Sequence, residues 1–182
     1  MRANRANVNS NDYRDETKEE LDILDGATIT TDELNILDGV NATTAEINAN
    51  CDVLVEAVTG ANVIAATETG THFILNSGTA FASTLPAPAA GLQFWFHIGA
   101  TEPSSGDHTI VTNSSSNIIV GAIATSADGA AVSCATDSDT ISFKNGAAKH
   151  GDFCHVWCDG TNWYVTGTVV AAGSVTITQE SA

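Results

Sequence analysis

The segment DFCHVWCDGTNWYVTG, residues 152 to 167, places two cysteines, a histidine, two tryptophans and a tyrosine around Asp159-Gly160. Asp-Gly between aromatic-rich runs is a strong short-range signal for a β-hairpin. Across such a hairpin Trp157, Trp163 and Tyr164 come near one another. Left exposed, they would form a flat aromatic platform of the kind that holds sugar rings. Turned inward, as aromatics more often are, they would be core. The same choice applies to Phe94, Trp95 and Phe96.

The thiols and imidazoles offer less. Cys154, His155 and Cys158 lack the usual zinc spacing and a second ligand pair. On one strand Cys154 and Cys158 stand about 13 Å apart, too far for the roughly 7 Å limit of a disulfide. The four cysteines, Cys51, Cys134, Cys154 and Cys158, read as buried free thiols, with cross-links to Cys134 or to another subunit as the alternative. His72, His97, His108, His150 and His155 show no mutual metal spacing, and Asp107-His108 reads as a turn. No nucleophile beside a base, paired carboxylates, G-x-S-x-G or phosphate-loop pattern occurs. The expectation is a protein that is not an enzyme and has no cofactor or metal.

Charge narrows the partners. Six Lys or Arg against 22 Asp or Glu leave a net charge of -16 in 182 residues. Nucleic-acid binding, which needs clustered cations, is not expected. Four of the six cations, Arg2, Arg5, Arg14 and Lys18, lie in the first 18 residues. Residues 1–16 read as an extended arm whose Arg2 and Arg5 suit an acidic neighbouring surface. No apolar run reaches the ~18 residues of a membrane span, and the Met1 end lacks a signal-peptide core. The chain is therefore expected to be made in a cytosol and not to bind membrane.

The elements that position these residues fall into two regions. Residues 17–57 step through a thirteen-residue repeat: ELDILDGATITTD from Glu20, ELNILDGVNATTA from Glu33 and a decayed EINANCDVLVEAV from Glu46. Thr17, Thr30 and Thr43 stand three residues before those Glu residues, the capping-box spacing that starts a helix. Gly26 and Gly39 then end the first two helices within two turns. A unit has little apolar surface: Leu21, Ile23 and Leu24 in one, Leu34, Ile36 and Leu37 in the next, Ile47 in the third. At ~1.5 to 3 kcal/mol per buried aliphatic side chain this does not offset ordering thirteen residues at ~1 kcal/mol or more each. These residues are expected to bury against other chains. Asp22, Asp25, Asp32 and Asp38 read as a solvated face, since no calcium-loop spacing occurs.

From residue 58 to 182 the pattern changes to short β-prone runs broken by Gly, Ser, Asn and Asp clusters. Expected strands are 62–66, 71–75, 92–98, 109–112, 117–123, 131–134, 140–144, 153–158, 163–169 and 174–178, with STLPAPAAG at 83–91 as a break. The fold class is thus mainly β: a C-terminal antiparallel β-sandwich or barrel-like domain behind an N-terminal arm of short helix-turn repeats.

The stretch ELNILDGVNATTAEIN resembles the ELN-ILDG repeats of tailed-bacteriophage virion structural proteins. TLPAPAAGLQFWFHI and DGTNWYVTG are similar to the opening and the closing hairpin of β-modules in phage fibres and head-surface proteins. Together the two likenesses cover roughly residues 17 to 178. They imply a homotrimer on the virion, assembled in the host cytoplasm. An arm, a short connector and one β-domain match the size and plan of a capsid decoration, or cement, protein whose partner is the major capsid protein. The alternative is a short trimeric tail or head fibre that binds host surface glycans.

Overall fold

In the structure, a computed structural model, residues 54–114, 118–134 and 137–179 are described. The arm, the first two repeats, residues 46–53 of the third and the candidate contact residues Arg2, Arg5, Leu21, Ile23, Leu24, Leu34, Ile36, Leu37 and Ile47, together with Cys51, lie outside the described residues.

Twelve strands follow one another: β1 Val55–Val58, β2 Asn62–Val63, β3 His72–Leu75, β4 Thr79–Thr84, β5 Gln93–Ile98, β6 Ser105–Val111, β7 Ile119–Thr125, β8 Ala131–Ser133, β9 Thr140–Phe143, β10 Phe153–Cys158, β11 Trp163–Val169 and β12 Val175–Thr178. They form a seven-stranded sheet, β1-β3-β5-β10-β11-β7-β8, and a five-stranded sheet, β12-β9-β6-β4-β2. Strict alternation explains the layering. Phe73, Leu75, Phe94, Phe96, Val156, Trp163, Val165 and Ile123 turn to one side of the larger sheet, and Phe81, Ile110, Ile141, Phe143, Val175 and Ile177 to one side of the smaller. Both sets belong to one buried cluster.

The domain is mainly β with two sheets, consistent with the expected β-sandwich, but the sheets are mixed rather than antiparallel. The first six strands alternate between the sheets, so β1, β3 and β5 run parallel, as do β2, β4 and β6. A hairpin reverses the chain beside its own strand. Here each link carries the chain across to the other sheet instead, and the next strand of a sheet arrives in the direction of the last. Antiparallel pairing enters where β10 joins β5 and β9 joins β6. Two strands were not expected. β1 falls in the decayed third repeat. β4, TAFAST, is built of small residues with little β signal.

The hairpin β10–β11 has its expected bounds, with Cys158 opposite Trp163. Its turn is held by Asp159, whose Oδ1 accepts from the N–H groups of Thr161 and Asn162 at 2.8 Å each. Gly167 permits close packing beside it: a Cβ there would stand 2.3 Å from the Phe153 carbonyl oxygen and 2.8 Å from Cys154 Cα. On the next strand Gly121 has φ +132°, and a Cβ would meet the Val165 carbonyl oxygen at 2.1 Å. No side chain fits either place without moving backbone.

Candidate functional site

The side of the seven-stranded sheet turned away from the core carries the residues with the most chemistry. Register places Val55 beside His72, His72 beside Trp95, Trp95 beside His155, and Trp157 between Gln93 and Tyr164. The rings stand as a ladder. His72 lies 4.7 Å from Trp95 with an interplanar angle of 2°, and Trp95 lies 4.2 Å from His155 at 6°. A second row runs His72, His97, Phe153, with centroids 5.3 and 5.6 Å apart. Trp157 closes the end, stacked on His155 at 5.3 Å and on Tyr164 at 5.6 Å. β7 continues this face with Val120, Ala122 and Ala124, opposite Tyr164, Thr166 and Thr168.

None of these outward positions is an Asp, Glu, Lys or Arg. The two cations among the described residues are used elsewhere: Lys144 bonds Asp107, and Lys149 bonds Glu102 at 3.1 Å. With the N–H groups of Asn145 and His150 donating to the same two carboxylates, these pairs tie residues 102–107 to residues 144–150. Burial raises the Asp107 carboxyl, but the bonds from Lys144 and Asn145 outweigh it and hold the group low.

His72 Nδ1 and His97 Nε2 are 3.2 Å apart, within hydrogen-bond distance. One nitrogen must then be an unprotonated acceptor. Burial, and secondly the nearby His72, lowers the pKa of both His97 and His155. Charging either would place a cation among rings with no carboxylate beside it. Beside Trp157 lies a shallow open cleft of about 520 Å³ lined by Gly91, Leu92, Gln93, His155, Trp157, Cys158 and Thr166.

The expected aromatic trio is divided by the alternation of β10 and β11. Trp157 is 37% exposed and Tyr164 faces the same way, whereas Trp163 is fully buried against Phe94. Trp163 therefore cannot belong to a surface platform. Cys154 and Cys158 are buried free thiols on the core side of β10, and Cys134 is half-buried and free. Burial pushes the thiols of Cys154 and Cys134 up, which suppresses the reactive thiolate. The Asp107-His108 turn is also corrected: both residues lie in β6, and His108 is buried 4.2 Å from Phe81. Among the described residues no group of three His, Cys, Asp or Glu is placed to hold a metal. Sequence reasoning missed the ladder, whose only local trace was His or aromatic residues at alternate positions of the expected strands 71–75, 92–98 and 153–158.

No known family model matches the chain, and no curated protein or solved structure matches it.

Proposed function

We propose that this chain is a structural protein of a tailed-bacteriophage particle, a capsid decoration or cement protein that binds the major capsid protein as a homotrimer and reinforces the shell. The observation that carries the proposal is the thirteen-residue ELN-ILDG repeat with its three in-phase capping boxes, which opens directly onto the β-domain. The repeats are attachment units too poor in apolar surface to stand alone, and the β-domain is the body they anchor. Leu54, Val55 and Val63 are exposed apolar residues at the first strands of that body.

Mechanically, the protein would bury surface across the boundaries between capsid subunits. Pressure from packaged DNA would then meet added interface as well as the shell. Three arms on one body raise the effective concentration of each arm at its site, so release is rare even where one arm binds weakly. The copy number per particle tests this. Hundreds of copies on DNA-filled heads are expected; a handful confined to tails would sink it.

The exposed Trp157 with Tyr164 beside the open cleft favours a second reading, a short tail or head fibre that binds host glycans. A glycan array with the intact chain and Trp157→Ala separates the two, because a cement protein gives no Trp157-dependent signal. Trp163→Ala would report on packing alone.

A further inference from the structure

We propose that the outer face of the seven-stranded sheet is the surface through which copies of this chain associate, and that protonation of its histidines loosens that association. The inference deepens the homotrimer reading above by assigning the contact to particular residues.

Extent is the first ground. With strands ~4.8 Å apart and same-face residues ~6.7 Å apart, seven strands present roughly 500 Å² of continuous face. It falls below the ~800 Å² that each partner contributes to a standard interface. Val55, 66% exposed beside His72, forms its β1 rim.

Charge is the second ground, and it selects the occupant. A chain of net charge -16 repels its own copies over most of its surface. The outward positions of β1, β3, β5, β10, β11, β7 and β8 carry none of that charge, so two copies can meet there without opposing carboxylates. An acidic or basic partner would find nothing to pair with.

Ring geometry is the third. Trp95 lies between His72 and His155 and nearly parallel to both, so both of its faces are already occupied. A sugar stacks on an open ring face, and even Trp157 lies between two rings, His155 and Tyr164. A broad surface of ring edges suits another flat protein face.

The histidines make this contact sensitive to acid. The titratable side chains at the outward positions are His72 on β3, His97 on β5, His155 on β10 and Tyr164 on β11; β1, β7 and β8 contribute none. Tyr164 donates its hydroxyl to Asp159 Oδ2 in the β10–β11 turn at 3.0 Å. Protonating His97, whose Nε2 lies 3.2 Å from His72 Nδ1, sets a cation inside a face whose outward positions hold no carboxylate.

Sedimentation velocity on the full chain tests the proposal, at about pH 7.5 and about pH 5.5. A multimer is expected at the higher pH, shifting toward monomer at the lower. Trp157→Lys and Thr166→Lys alter exposed positions that the fold does not need. Each is expected to raise the dissociation constant on the order of tenfold or more, with an unchanged far-ultraviolet circular dichroism spectrum. His97→Phe keeps a ring against Phe153 and should remove much of the acid response. A multimer indifferent to both lysine variants overturns the assigned face while leaving the homotrimer standing. A monomeric wild type overturns both, and a multimer that ignores acid overturns the histidine role. Trp157-dependent glycan binding with no change in mass would give the face to a saccharide and overturn the proposal.

Discussion

The two sheets share a core but differ in their outer faces. The seven-stranded sheet carries His72, Trp95, His97, Phe153, His155, Trp157 and Tyr164 outward, a surface of bulky rings. The five-stranded sheet shows Val63, Ala82, Thr84, Asp107, Thr109, Val111, Thr140, Ser142, Thr176 and Thr178, mostly short side chains. The ring-bearing set is uncharged, whereas the five-stranded face carries Asp107 with its partner Lys144 at one end. Ser142 and Thr140 are nearly inaccessible although they face outward, flanked by other short side chains on β6 and β12. A face of short hydroxyl side chains satisfies itself and water equally well. A face of rings leaves apolar edges and an unpaired, buried His155 Nε2 among the described residues. Only the second gains much from being covered.

The largest effect should come from the residue that joins the ring-rich sheet to the core. Trp163→Ala removes a fully buried indole and is expected to cost about 3 to 5 kcal/mol in urea unfolding. Trp157→Ala, six residues away on the same hairpin, should stay within about 0.5 kcal/mol for the isolated chain. Equal losses would break the division of the aromatics into one inward and two outward. Next comes Gly167→Ala, expected to cost about 1 to 3 kcal/mol because its Cβ meets the β10 backbone. Gly60→Ala, with open space around it, serves as the neutral control.

Acidity sharpens the comparison further. Burial lowers the pKa of His97 and His155 on the ring-rich face and of His108 in the core. A histidine whose folded pKa lies below its unfolded value binds fewer protons folded than unfolded. Its stability contribution is therefore full above the unfolded value of about 6.5 and is lost as pH falls below it. Thermal melts should show a falling Tm from about pH 7 toward pH 5. His108→Phe should reduce that fall, and an unchanged slope would remove His108 from the account. Asp107, held low by Lys144 and Asn145, acts in a separate window below about pH 4. A small effect is expected for Lys144→Met. Its pair with Asp107 is partly exposed and screened, worth under about 1 kcal/mol in a urea melt.

Much of the strand pattern was legible in the sequence, and the reason is local. Alternation and turn chemistry define β10 and β11 to the residue, because Asp159-Gly160 sits between two aromatic runs of period two. Which aromatic faced the core was not legible, since an alternating strand has two faces and both here bear rings. β4 escaped because Thr79, Ala80, Ala82, Ser83 and Thr84 are small, and only Phe81 and the flanking Leu85 anchor it. The parallel winding of β1 to β6 escaped for a different reason. Pairing partners lie a strand and two links apart, and no short motif records which sheet a strand joins. The ladder follows from that winding, because the registers β3 to β5 and β5 to β10 bring His72, Trp95 and His155 into line.

An electron-microscopy reconstruction of the DNA-filled particle tests the central claim most directly. The account predicts many copies on the head, clustered so that the seven-stranded faces turn toward one another and the threonine-lined five-stranded faces toward solvent. Density confined to the tail, or clusters in which the ring-bearing face is open to solvent, would contradict it.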